Sequence, residues 1–328
     1  MKNTIREALA PSITKAASRQ TFYTIRFLVD RERVADAYRA YAYFRWVDDK
    51  LDADSALSGG LSSPCSSGVS KPAVEARTRM CFLTRQKSLL EKCYQGQSIE
   101  NTTPEEQMLV QLVDSDQEKN SGLESYLHNM MQVMEFDTER RGRLISQAEL
   151  NEYTRWLATA VTEALHYFIG NKRDAPRNET RYLAVTGAHI AHMLRDTFDD
   201  VQVGYYNVPR EVLESNHLRP GEIQSEAYRL WVQSRVQLAR KCFQSGKEYF
   251  ARVEEPRCRL AGFAYMARFE WLLDTIERED YFLRPVYTER KSLGTGLRMG
   301  ISTLATLIHV RERETVPQPV VSRSLRKL

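Results

Sequence analysis

Apolar residues recur at three- and four-residue spacings along six long stretches, 32–53, 122–135, 147–170, 178–203, 222–252 and 257–278. That is the period an α-helix imposes on a face turned toward a core. Alternating strand patterns are scarce. Gly and Pro number only 15 and 11 in 328 residues, which leaves little punctuation for short strands and tight turns. Pro209, Pro220 and Pro256 fall between the periodic stretches, where each would stop or start a helix. Helices of about 20 residues with wide apolar faces suit an all-α bundle around a central cavity, not a narrow coiled-coil seam.

The pattern predicts one helical domain over 1–292. One segment interrupts it: DSALSGGLSSPCSSGVSKP begins directly after the first acidic cluster and predicts a flexible insertion loop over 54–75, placed where it could act as a lid. Residues 293–328 follow the domain. Their stretch LGTGLRMGISTLATLIHVRER predicts an amphipathic helix with basic flanks, and the chain ends in a basic tail, SRSLRKL, a combination suited to peripheral contact with a membrane surface.

Bulk composition excludes several classes. With 42% hydrophobic and 27% charged residues the chain is an ordinary globular protein. Its 47 basic and 43 acidic side chains leave a formal charge of +4, too small for the basic footprint of a nucleic-acid binder. The five cysteines are odd in number and scattered without metal-ligand pairing, which reads as reduced thiols in a cytoplasmic protein. No apolar run reaches the roughly 18 to 20 residues that span a bilayer, and the N-terminus lacks a secretory apolar core. That terminus is basic and mildly amphipathic through Lys2, Arg6, Lys15 and Arg19, which keeps an organelle transit peptide open.

Two acidic segments carry the chemistry. In YAYFRWVDDKLD, residues 41–52, Tyr41, Arg45, Asp48 and Asp52 fall on one narrow arc of a helix, with Asp49 on its flank. Three carboxylates in five positions repel one another, and they stand within an aromatic, apolar stretch. Magnesium, held by one or two carboxylates and bridging to substrate phosphates, is a natural countercharge; an exposed acidic helix end paired with Arg45 and Lys50 is the plainer alternative. HIAHMLRDTFDD, residues 189–200, repeats the arrangement. Asp196 and Asp200 share a stripe with His189 and His192, Asp199 lies beside them, and Arg195 precedes the first aspartate. Two such walls, each with an arginine, suit a pocket that clamps a metal-bound diphosphate, with the arginines making bidentate phosphate contacts. His128, His166, His217 and His309 have no partner spacing and read as ordinary histidines.

At these residues the chain resembles the squalene/phytoene synthase family, the head-to-head trans-isoprenyl diphosphate synthases. Tyr41, Arg45, Asp48, Asp49 and Asp52 match its first motif, and Arg195, Asp196, Asp199 and Asp200 match its second. SRQTFY resembles the family's diphosphate-binding segment and implies substrate contacts from Ser18, Arg19, Thr21 and Tyr23. Tyr153 in YTRWLATAVTEAL corresponds to its cavity-facing tyrosine. The resemblance spans roughly 15–280 and implies an isoprenoid-synthase-type bundle. It also implies prenyl diphosphate substrates, farnesyl or geranylgeranyl, condensed to a squalene- or phytoene-type product with release of diphosphate.

Three positions depart from the family. His189 and His192 stand where it carries Gln and Asn; imidazole beside the aspartates would ligate the metal, with manganese or zinc favoured, or would hydrogen-bond instead. Thr159 and Thr162 replace two glycines and would narrow the cavity or line it with a hydroxyl. Tyr205 replaces an arginine after Gly204, removing an expected diphosphate contact. Magnesium is the expected cofactor, with manganese as the alternative. A reductive step with NADPH stays open, because this fold need not carry a Gly-rich nicotinamide fingerprint. A non-catalytic assembly protein, and a prenyl-diphosphate hydrolase or cyclase on the same bundle, are the competing readings. Oligomeric state is not legible.

Overall fold

The computed structural model describes residues 2–52, 71–170 and 175–287. Eleven α-helices run through them, and there is no strand among the described residues. They are α1 (Lys2–Ala17), α2 (Arg19–Leu28), α3 (Val34–Asp52), α4 (Lys71–Tyr94), α5 (Glu106–Asp114), α6 (Gly122–Arg140), α7 (Gln147–Phe168), α8 (Leu183–Gln202), α9 (Arg210–Ser215), α10 (Glu226–Ala251) and α11 (Pro256–Arg278). The six periodic stretches become α3, α6, α7, α8, α10 and α11 to within a few residues at each end, as an all-α bundle requires. Most of the expected loop over 54–75 lies outside the described residues, but Lys71 already begins α4, so 71–75 is helix. The amphipathic segment and tail, 293–328, also lie outside them. No helix among the described residues is long and apolar enough to cross a membrane.

Local chemistry fixes the helix ends. Ser121, Ser146 and Ser225 cap α6, α7 and α10 by accepting a hydrogen bond from the third following backbone N–H. At α7 Glu149 returns the bond to Ser146, completing a capping box. Pro256 opens α11, where its missing N–H has no helical partner to lose.

α6 packs along α7, and α8 lies between α7, α10 and α11. The contact of α8 with α10 is unusually close. A Cβ built on Gly246 would lie 2.8 Å from the Cβ of Ala184 and 3.0 Å from its backbone nitrogen, so only glycine admits this approach. Large rings fill the centre: Tyr43, Tyr228, Phe243, Tyr249 and Phe250 are each at most 2% exposed. One buried polar group of this core is held in a connected chain. Tyr43 donates to Gln86 Oε1 (3.1 Å), Gln86 donates to Glu106 Oε1 (2.9 Å), and Arg85 pairs with the same carboxylate, tying α3, α4 and α5 together.

Candidate active site

The acidic stripes sit where the core faces of their helices leave off. On α3, Ala42, Tyr43, Phe44, Val47 and Leu51 are buried, which turns Arg45, Asp48 and Asp52 to the open side. On α8, Ala188, Ala191, Leu194 and Thr197 are buried, and His189, His192, Asp196 and Asp200 follow one another along the neighbouring stripe. The two stripes line a cleft of about 480 Å³, which α6 and α7 complete with Asp137, Arg140 and Tyr153.

The carboxylates are unevenly compensated. Arg45 Nη1 donates to Asp48 Oδ2 (3.1 Å) and its Nη2 pairs with Asp49. Even so, burial, together with the neighbouring charges of Asp52, Asp137 and Asp49, pushes Asp48 up to about 6. Burial and the proximity of Asp196 and Asp137 likewise push Asp200 up to about 6, against a hydrogen bond from Asn207. Asp52 is raised as well, chiefly by burial. Asp196 is the exception. Burial alone would raise it, but His192 Nε2 (2.9 Å) and a bidentate Arg195 (2.5 and 2.6 Å) hold it well below the usual carboxylate range. His192 therefore hydrogen-bonds to an aspartate in this conformation. His189 is 5% exposed, burial pushes its imidazole down to about 3, and its Nδ1 has no hydrogen-bond partner.

Of the residues singled out in the sequence, the structure brings Arg45, Asp48, Asp52, Tyr153, His192, Asp196 and Asp200 to this cleft. Others stand apart from its lining. One residue off the stripe is 100° of rotation, so the side chain of Asp49 is 55% exposed and Asp199 faces solvent. Arg195 lies against Asp196 from the side. Tyr41 and Thr21 line a separate apolar cavity. Ser18 is the N-cap of α2, its Oγ accepting from the backbone N–H and hydroxyl of Thr21, while Arg19 and Tyr23 are exposed. Thr159 turns away from the cleft into a groove of about 240 Å³ beside Thr186 and Arg235. Thr162 is fully buried with its hydroxyl unpartnered. Neither threonine narrows the central space.

The structure also adds residues that sequence reasoning missed. Tyr153 donates to Asp137 Oδ2 (3.0 Å), and Arg140 Nε donates to Asp137 Oδ1 (2.7 Å). Arg140 Nη1 donates to Asn207 Oδ1 (2.8 Å), whose Nδ2 donates to Asp200 Oδ2 (2.7 Å). A continuous polar chain thus ties the tyrosine of α7 to the aspartate of α8. Burial and the adjacent Asp137 keep the Tyr153 hydroxyl protonated, with its acidity far below normal. Gly204 (φ +89°) makes the left-handed turn that returns the chain to the cleft, and its carbonyl accepts from Gly142 N–H (2.8 Å). Tyr205, at the position where an arginine was expected, lies beneath Arg140 and Arg141, 4.8 and 6.0 Å from ring centroid to guanidinium. Positive charge therefore reaches this wall from the end of α6. Arg79 of α4 adds another cation, its Nε buried without a hydrogen-bond partner.

No group of three or more His, Cys, Asp or Glu among the described residues converges into a ready-made metal cage. Magnesium does not need one: it keeps several waters and takes one or two carboxylates along with substrate phosphates. Hard carboxylate oxygens on two facing walls, with Asp48 and Asp200 short of countercharge, fit that ion.

Behind the cleft lies an apolar cavity of about 370 Å³. α3, α6, α7 and α8 line both spaces, and on each a single turn separates them: Arg45 from Tyr41, Met130 from Tyr126, Leu157 from Val161, His189 from Val185. A turn is about 5.4 Å. A charged head group in one space would therefore place an attached hydrocarbon at the entrance of the other.

This combination has counterparts among solved structures. A dehydrosqualene synthase in complex with ligand superposes with a TM-score of 0.67 at 14% identity, covering 95% of this chain and 98% of its own. The squalene synthase HpnC from Alicyclobacillus acidocaldarius gives 0.62 at 18% identity, covering 85% and 95%. At such identities the likeness is one of fold, and it confirms the isoprenoid-synthase-type bundle. No curated protein matches the chain by sequence. The model of the squalene/phytoene synthase family matches residues 14–292, nearly all of the helical domain, and the chain belongs to that family.

Proposed function

We propose that this chain is a prenyltransferase that condenses two allylic prenyl diphosphates head to head, releasing diphosphate and forming a squalene- or phytoene-type hydrocarbon. The observation that carries the reading is the adjacency just described, with an acidic and cationic cleft one helical turn from an apolar cavity on four helices at once.

Asp48 and Asp52 on one wall and Asp196 and Asp200 on the other would hold magnesium. The bound ion would neutralise the departing diphosphate. Arg45, Arg140 and Arg141 add fixed positive charge on the same side, where charge develops as the leaving group departs. Asp137 fixes the Tyr153 hydroxyl in the polar cleft. The neutral His189 brings no positive charge toward a carbocation. The cavity walls, with Tyr41, Val161, Leu165, Phe168 and Val185, are mostly apolar and would shield it from water that would otherwise quench it.

The test is incubation with farnesyl and with geranylgeranyl diphosphate, under magnesium or manganese, with and without NADPH. Pyrophosphate is measured alongside product mass. A doubled hydrocarbon supports the proposal. A monomeric alcohol or a cyclised terpene assigns the hydrolase or cyclase chemistry instead, and no pyrophosphate with either substrate overturns all three.

A further inference from the structure

α2 is two-sided in a way the reaction does not use. Thr21, Thr24, Ile25 and Leu28 line the apolar cavity. Arg19, Arg26, Tyr23 and Phe27 occupy an arc of roughly 100° on the opposite side, and all four are exposed. Phe27, at 70%, is the most exposed large hydrophobic side chain among the described residues, and Tyr23 is 49% exposed. Their rings stack on each other, centroids 6.1 Å apart and 10° from parallel, out in solvent. Lys15, at the end of α1, adds a third cation, 5.5 Å from the Phe22 ring.

Among the described residues none of Lys15, Arg19 or Arg26 has a carboxylate partner. The nearby carboxylates are already engaged, Asp30 with Arg257 (2.6 Å) and Asp36 with Arg39 (2.6 Å).

We infer that this outer face of α2 docks on an anionic lipid surface. Stacked aromatics flanked by unpaired cations match the interfacial zone of a bilayer, where rings sit at head-group depth and basic side chains meet anionic lipid. A two-fold contact with a second copy fits poorly, because a self-complementary interface would set these cations against themselves. The inference stands on the surface alone and does not depend on the proposed reaction. Its consequence is geometric: docking leaves one ten-residue helix between the lipid and the apolar cavity.

The experiment is flotation of the full chain with vesicles of phosphatidylcholine, alone or mixed with phosphatidylserine, at low and high salt. The wild type should float with phosphatidylserine vesicles and be released by salt. Phe27→Ser should weaken partitioning by about ten-fold, and Arg19→Glu with Arg26→Glu by more than about ten-fold, since each basic residue near an anionic surface contributes roughly five-fold. Leu230→Ser, on the exposed face of α10, should change nothing. Unchanged melting of each variant would exclude misfolding. The inference is overturned if the wild type ignores phosphatidylserine, if the α2 variants float like the wild type, or if size-exclusion shows a dimer that Phe27→Ser dissociates.

Discussion

Replacing Arg140 by Met keeps most of the side-chain volume and removes the guanidinium from the polar chain that joins α6, α7 and α8. Arg140 is itself only 5% exposed. The change leaves Asp137 with only the Tyr153 donor and the Asn207 carbonyl with none. Breaking a buried pair from one side costs about 3–5 kcal/mol. The Asp137 side chain is 27% exposed and can recruit solvent, which places the loss near about 3 kcal/mol. Lost contact with the rings of Tyr153 and Tyr205, 4.9 and 4.8 Å away, adds ~1 kcal/mol. At roughly 2–4 °C per kcal/mol, Tm should fall by about 8–16 °C. The double variant Arg140→Met with Asp137→Leu removes both charges and should be more stable than Arg140→Met alone, because an unpaired buried charge costs more than an absent pair. Thermal melting of the two single variants and the double variant completes the cycle. A loss under about 1 kcal/mol for Arg140→Met, or a double variant no more stable than Arg140→Met alone, refutes the argument.

Further outcomes follow from which aspartates face the cleft and how they titrate. Asp48→Ala and Asp196→Ala should each lower pyrophosphate release by about 10²–10³, the scale of losing one group that stabilises developing charge. Asp49→Ala and Asp199→Ala, which alter solvent-facing side chains, should stay within a few-fold on the same assay; equal losses at all four would discredit the assignment. Asp200 ionises near pH 6 when folded against an ordinary 3.8, so the folded state holds the extra proton and the native state loses stability as pH rises through that window. In metal-free buffer the Tm of Asp200→Asn relative to wild type should therefore climb between about pH 4 and 6 and then level off, where a flat difference would contradict the shift. Magnesium affinity by calorimetry should fall as pH drops below about 6, because protons compete for Asp48 and Asp200. Gly246→Ala should cost about 1–3 kcal/mol in chemical denaturation by forcing α8 from α10, whereas Gly221→Ala, with open space around it, should cost under about 0.5.

The parts of this protein legible in its sequence are those whose chemistry lies along one helix. Tyr41, Arg45, Asp48 and Asp52 are related by helical period alone, as are His189, His192, Asp196 and Asp200, and no tertiary knowledge is needed to see either stripe. The six periodic stretches were legible for the same reason, since each turns a wide apolar face to the core. α4 was not: RTRMCFLTRQKSLLEKCY sets cations among its apolar positions, and one of them, Arg79, belongs to the cleft. α5 has nine residues, too few to establish a period.

The polar chain behind Tyr153 was hidden for a different reason. In FDTERR, residues 136–141, Asp137 and Arg140 stand three apart, the spacing of an ordinary surface ion pair on a helix. Only the packing of α7 over α6 and the return of the chain at Gly204 bury that pair and bring Asn207 to it from 67 residues away. The same return explains why losing an arginine at Tyr205 does not strip the wall of charge. The tyrosine ring supports Arg140 and Arg141, so the cations arrive from α6 while the residue that replaced one holds them in place. A motif read residue by residue registers a missing diphosphate contact there. The fold shows a wall where position and charge are supplied by different elements, which is why Arg140, and not Tyr205, is the residue whose removal should be felt most.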